Sequence, residues 1–202
     1  GTTFVGTDSH LNILGAVGGF GQGMGDQDIT FAFKTGRTWF EVPPTMQVVV
    51  EGELRTPCTA RDLTLAVLRD LGSNGALGRA VEFVGPAIEA LDLAGRITLA
   101  SQVTEMGGIV GFPVSGLAEQ RGSGVASAAS LLPTPYSLLP DPDAEYVETV
   151  TVDITDLEPL IACPPSPSNV KPVREVAGRR VDSVFLGSCT NGRFEDFAAV
   201  AE

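Results

Sequence analysis

The chain has 202 residues, 43% hydrophobic and 19% charged, enough for one large or two small domains with an ample core. Acidic residues outnumber basic ones 25 to 13, and the formal net charge of -12 repels phosphate backbones and anionic membranes, so neither nucleic acid nor a membrane surface is expected as a partner. No apolar run is long enough to span lipid, and the three widely spaced cysteines, Cys58, Cys163 and Cys189, suit a reducing compartment, so the cytoplasm is the expected location.

Thr3-Phe4-Val5 reads as a short strand ending in Gly6-Thr7-Asp8-Ser9-His10. Polar residues at a strand's carboxyl end occupy the usual place for site residues in α/β folds. His10 is the only histidine. It is either a satisfied structural residue or an acid or base, with Asp8 orienting the ring and Ser9 donating to a substrate carboxylate. The glycine-rich run Gly15–Gly25 fits neither a dinucleotide nor a phosphate-loop pattern, and its small residues are expected to allow close packing. Asp26 is expected to cap a helix through Lys34 that Gly36 ends.

After Val42-Pro43-Pro44, residues 46–54 read as a strand, Thr59 with Asp62 opens a helix through Leu71, and residues 80–84 form another strand. A second helix is expected from Leu93 to Glu105, with Ser101 and Glu105 one turn apart on a shared face. Glu105 is a solvated charge or, at a helix end leading into Gly107-Gly108, a site residue. Residues 109–113 read as a strand, residues 114–142 as a linker or long surface loop, and residues 146–153 alternate as a half-buried strand. Cys163 precedes a proline-fixed loop. Val181–Leu186 reads as a strand running into Gly187-Ser188-Cys189, followed by a helix over 193–200. Such a junction favours thiolate at Cys189. The alternative is a buried cysteine that packs as a small hydrophobe. Alternation of strands and helices predicts an α/β layer fold. Both ends read as cut inside elements, as in a fragment.

The motifs Gly-Thr-Asp-Ser-His at 6–10 and Gly-Ser-Cys-Thr-Asn-Gly at 187–192 together resemble the aconitase superfamily, in particular its two-subunit dehydratase branch. Arg79–Phe83, Thr104–Gly108, Leu157–Leu160 and Pro165–Val170 agree as well. The resemblance implies a partial three-layer α/β/α aconitase-type iron–sulfur domain. Its expected segments are 1–44 (end of a first α/β subdomain with the Asp-Ser-His motif), 45–113 (a second), 114–143 (loop or linker) and 144–202 (start of a third, with the first cluster cysteine).

The resemblance also implies a hydro-lyase acting on a small-molecule hydroxy di- or tricarboxylic acid through a [4Fe–4S] cluster, with a small swivelling subunit as partner. By position, Cys189 matches one of three cluster thiolates, Asp8, Ser9 and His10 match the active-site triplet, and Glu105 matches the glutamate that pairs with the histidine. Ser101 stands where many relatives carry asparagine and is expected to contact substrate. The Cys-x-x-Cys pair supplying the other two thiolates is absent, and Cys58 and Cys163 lack its spacing. The polypeptide by itself is therefore expected to be catalytically incomplete. Some relatives bind RNA without the cluster; the net charge of -12 and the lack of a basic patch longer than Arg179-Arg180 argue against that role here.

Overall fold

A computed structural model describes residues 2–114 and 139–201. Most of the expected loop at 114–142 lies outside the described residues. Strand β1 (Thr3–Gly6) leads through a 3-10 helix, Leu11–Val17, into β2 (Phe20–Gly23), and the two strands pair in parallel. Helix α1 (Asp26–Thr35) follows. Asp26 and Asp28 lie in its first turn, complementing the helix dipole, while Gly25 is the N-cap. Asp26 is thus one residue inside the helix rather than its cap. Gly36 ends the helix at φ 66, as expected.

Strands β3 (Thr45–Glu51), β4 (Ala80–Val84), β5 (Val110–Pro113) and β6 (Glu148–Asp153) form one parallel sheet in the order β5-β4-β3-β6. This is the α/β architecture expected. Met46, Val48 and Val50 on β3, with Val81 and Phe83 on β4, have no exposed surface, whereas the alternate residues Gln47, Val49 and Glu82 are half-buried. The period of two therefore gives the sheet one fully buried face.

Helices α2 (Ala60–Leu71), α3 (Pro86–Glu89) and α4 (Leu93–Gln102) contribute the core's other half, including Leu63, Val67, Leu68, Ile88 and Leu99. α2 begins with a full capping box: Thr59 Oγ1 accepts from the backbone at Arg61, and the Asp62 carboxylate accepts from the Thr59 N–H. α4 ends three residues earlier than the periodicity predicts. The chain tightens there into a 3-10 turn, Val103–Met106, closed by Gly107 at φ 78.

β6 comes from the expected third segment yet pairs with β3 of the second, so the sheet crosses the division placed at 143/144. The first segment is joined as tightly. A Cβ on Gly15 would lie 1.9 Å from the Gly111 carbonyl oxygen, so only glycine lets the 3-10 helix touch β5. Tyr146 reaches across β3 to donate its hydroxyl to Glu82 Oε2 on β4 (2.6 Å). Burial first, and that bond second, push its phenol up to about 12.

Past β6 the proline-fixed loop is the tip of an antiparallel pair, β7 (Leu160–Ala162) with β8 (Val170–Pro172). Ser73, between α2 and β4, holds this tip by bonding Ser166 and Ser168 (3.3 and 2.9 Å). A short helix α5 (Val173–Val176) follows, and α6 (Phe194–Ala201) ends the described chain. Val181–Leu186 forms no strand, contrary to expectation. Val181, Val184 and Phe185 are exposed and pair with no sheet edge among the described residues, so their β-propensity has nothing to pack on.

Candidate functional site

The Asp8-Ser9-His10 loop leaves the carboxyl end of β1 and is held on two sides. Asp8 Oδ1 accepts the His10 N–H (2.8 Å), and the Leu11 N–H bonds the Asp8 carbonyl, which starts the 3-10 helix. Behind the loop, Cβ atoms on Gly21 and Gly23 would lie 2.0 Å from the Leu11 carbonyl oxygen and 2.6 Å from that of Asp8. The glycine-rich run thus serves close packing, as its composition suggested, and what it packs against is the site loop itself. In front, Thr104 Oγ1 donates to the Ser9 carbonyl (3.0 Å) and accepts from Asn12 Nδ2 (2.8 Å). Asn12 is 2% exposed, and its Oδ1 has no partner among the described residues.

Those bonds bring two distant residues together. His10 Nε2 lies 3.4 Å from Glu105 Oε1, and His10 Nδ1 lies 3.1 Å from Ser9 Oγ. Both contacts are satisfied when Nε2 carries the proton and the Ser9 hydroxyl donates to Nδ1. The side chains keep 16% and 31% of their surface, so a small molecule can reach the pair. Asp8 plays a different part from the one expected: its bond goes to the His10 backbone and not to a ring nitrogen. Arg61, in the first turn of α2, has its guanidinium pushed down by burial and drawn back up by the charges of Glu105 and Asp62.

The second motif reaches the same helix from the other end of the chain. Cys189 is exposed, which removes the buried-hydrophobe alternative. Its neighbour Thr190 is 2% exposed, with Oγ1 2.8 Å from Ser101 Oγ and accepting from Gln102 Nε2 (3.1 Å). Ser101 is fully buried in that bond, so it is shielded from substrate in this arrangement. Arg193 donates to the carbonyls of Thr190 (2.7 Å) and Ala94 (3.0 Å) and to Thr98 Oγ1 (2.8 Å). Asn191 Nδ2 also donates to Thr98 (3.2 Å). α4 therefore carries the cysteine loop on Thr98, Ser101 and Gln102 and runs on into the turn that carries Glu105. Polar residues spaced three and four apart on one helix, Thr98, Ser101 and Gln102, were the available signal for this seat, and Thr98 and Gln102 did not stand out from the sequence.

Asp196 closes the loop onto α6. Its carboxylate accepts from the N–H groups of Gly192 (2.7 Å) and Arg193 (2.9 Å) and from Asn191 Nδ2 (3.0 Å). Partial burial opposes the charge, but these bonds and the Arg193 cation outweigh it and hold the carboxyl below its usual value. A depressed carboxyl pKa stabilises the fold fully above the ordinary value of about 3.9 and loses that contribution as pH falls through the folded value. In an NMR titration the Gly192 and Arg193 amides should shift with an inflection below about pH 3.9, and Asp196→Asn should remove it. Equal acid profiles for the two proteins would contradict this account of the cap.

A cavity of about 600 Å³ opens beside the loop, lined by Arg61, Thr98, Phe185, Ser188, Asn191 and Arg193 among others. Neither His10 nor Glu105 lines it, so the acid/base geometry, and not the cavity, defines the site. As for a cluster, a cubane needs at least three protein thiolates. Cys58 is buried with its thiol donating to the Leu157 carbonyl (3.4 Å), and Cys163 lies in the β7–β8 loop. Among the described residues no three His, Cys, Asp or Glu side chains form a metal-holding group. The residues present thus fit one corner of a cluster, at Cys189, and not a whole site. No helix among the described residues is long and apolar enough to cross a membrane.

Comparison with known proteins places these features in context. A family described as "Aconitase family (aconitate hydratase)" matches residues 1–180. The chain is 43% identical over 202 residues to the "3-isopropylmalate dehydratase large subunit" of Nitratidesulfovibrio vulgaris, covering 100% of this chain and 47% of that protein. It is 43% identical over 205 residues to the "Probable methanogen homoaconitase large subunit" of Methanosarcina mazei, covering 100% of this chain and 50% of that protein. A "3-isopropylmalate dehydratase large subunit 1" from Methanopyrus kandleri is 41% identical over 202 residues, covering 100% of this chain and 47% of that protein. The chain spans about half the length of the curated relatives it matches. Cys189 lies beyond the family match but inside the span shared with these relatives.

Proposed function

The chain belongs to the aconitase family, and from that premise we propose that it is part of the large subunit of a hydro-lyase. The enzyme would reversibly remove and restore water on a hydroxy di- or tricarboxylic acid. 3-Isopropylmalate is the first substrate to test, because dehydratase large subunits of that name are among the relatives, and a homoaconitate-type acid is the second. A small subunit would complete the site, in keeping with the "large subunit" in the relatives' names. The chain's free cysteines suit a cytoplasmic enzyme.

One observation carries the reading: two polar residues from separate parts of the chain, His10 and Glu105, meet at 3.4 Å with both side chains accessible. Loss of hydroxide from carbon is slow unless a proton reaches the departing oxygen. His10 in its protonated form can supply that proton and become the neutral ring, and Glu105 beside it stabilises the imidazolium that the reverse step restores. Ser9, bonded to Nδ1, fixes the ring and leaves hydroxyl lone pairs for a substrate group. Asp8 and Thr104 hold the backbone that places both. We further propose that Cys189 supplies one thiolate of a [4Fe–4S] cluster whose other ligands lie outside this chain.

The test is an assay of the complete protein, combined with its small subunit and reconstituted with iron and sulfide, against a panel of hydroxy acids. The expected result is formation of the unsaturated acid from 3-isopropylmalate or a longer tricarboxylic homologue. No turnover of any hydroxy acid, with no broad visible absorption after reconstitution, would overturn the proposal.

A further inference from the structure

We propose that Thr190 is a positioning residue for Cys189: its hydroxyl, seated between Ser101 and Gln102 of α4, fixes the loop that presents the thiol. The loop needs such a seat because the chain leading into it gives none. Val184 and Phe185 are 73% and 87% exposed and belong to no strand, so the segment leading into the loop does not anchor it. Immediately after the cysteine, burial reverses. Thr190 is 2% exposed, Ser101 0% and Gln102 6%, and their three polar groups bond one another at 2.8 and 3.1 Å.

The geometry makes the seat specific to a hydroxyl. A hydroxyl donates once and accepts twice. Thr190 Oγ1 accepts from Gln102 and shares a proton with Ser101, so removing the oxygen leaves two buried polar groups without their partner. A second layer repeats the attachment, with Arg193 gripping the Thr190 carbonyl and Thr98. Within the loop, Ser188 Oγ accepts from the N–H groups of Thr190 (3.2 Å) and Asn191 (2.9 Å), so a displaced Thr190 would carry the turn around Cys189 with it. α4 continues into the turn bearing Glu105, and the same helix therefore sets the thiol relative to the His10–Glu105 pair. What this does for a cluster rests on the proposed function; the anchoring of the loop does not.

The experiment uses the complete protein with Thr190→Val, which keeps the shape and loses the oxygen, and Thr190→Ser, which keeps the oxygen. Hydrogen exchange of the Thr190 and Asn191 amides in the cluster-free protein should speed up about tenfold in the valine variant, return to within about twofold in the serine variant, and stay unchanged in β3 and β4. In the reconstituted protein, visible absorption should bleach about tenfold faster with a chelator in the valine variant only, the scale expected when a residue that orients a ligand is lost. If Thr190→Val does not fold, Ser101→Ala removes one partner from the other side and should raise exchange at the same two amides. Wild-type exchange at these amides in Thr190→Val, or in Ser101→Ala where the valine variant does not fold, or no rescue by serine, would overturn the inference. A protein that never takes up a cluster would instead sink the proposed function, while the exchange data would still decide the role of Thr190.

Discussion

Glu105→Gln in the complete enzyme should lower turnover by about 10²–10⁴-fold, the usual worth of a positioned proton-transfer group. The substitution is nearly isosteric, and Glutamine Oε1 can still accept from His10 Nε2, so the 3.4 Å contact need not open. What is lost is the negative charge that lets imidazole gain and give up a proton at little cost. Glu105 sits in a turn held by Gly107 and by the neighbouring Thr104, and its carboxylate makes no capping bond, so the fold should survive. KM should change much less than kcat, because the charge acts on the departing oxygen and not on the substrate's carboxylates. Melting curves of mutant and wild type would separate loss of chemistry from loss of fold. Turnover within threefold of wild type would remove Glu105 from the mechanism.

This pair also shows how far the sequence could be read. Asp8, Ser9, His10 and Glu105 each stood out by residue type and place, and the motif order joined them. The contacts that make them a site were hidden. Thr104 and Asn12 hold the loop across a long chain separation, and nothing local to either residue announces the bond between them. Ser101 shows the opposite error. The resemblance makes it a substrate contact, but its hydroxyl is fully buried against Thr190, a residue 89 positions further along the chain that no local pattern could pair with it.

The fold divides the same way. β3, β4, β6, α1 and α2 carry their own signals: alternation, helical spacing, a capping box, a terminal glycine. Elements defined by a partner were not visible. The short β7 and β8 owe their pairing to the turn between them and to Ser73 beneath it, and the apolar Val181–Leu186 is no strand without an edge to join.

Asp62→Ala is the substitution that should cost the fold most among the polar residues discussed, at about 3 kcal/mol. The sequence marks Asp62 as half of a capping box, worth about 1 kcal/mol. The structure adds a second duty. Asp62 is 9% exposed; Oδ2 accepts from the Thr59 N–H (2.8 Å) and hydroxyl (3.0 Å), while Oδ1 accepts from the Leu160 N–H (2.8 Å) at the start of β7. Alanine frees the first turn of α2 and strands a buried Leu160 N–H, which costs about a further 1–3 kcal/mol. Asparagine discriminates the two duties, because its single oxygen can serve Thr59 or Leu160 but not both. Asp62→Asn should therefore lose about half as much as Asp62→Ala in denaturant unfolding, with a similar m-value. Amide exchange should show where the loss falls, with Leu160 unprotected in the alanine variant while β3 and β4 keep their order of protection. An alanine variant within about 1 kcal/mol of wild type would mean that water replaces the carboxylate at Leu160 and that β7 does not depend on α2 for its place.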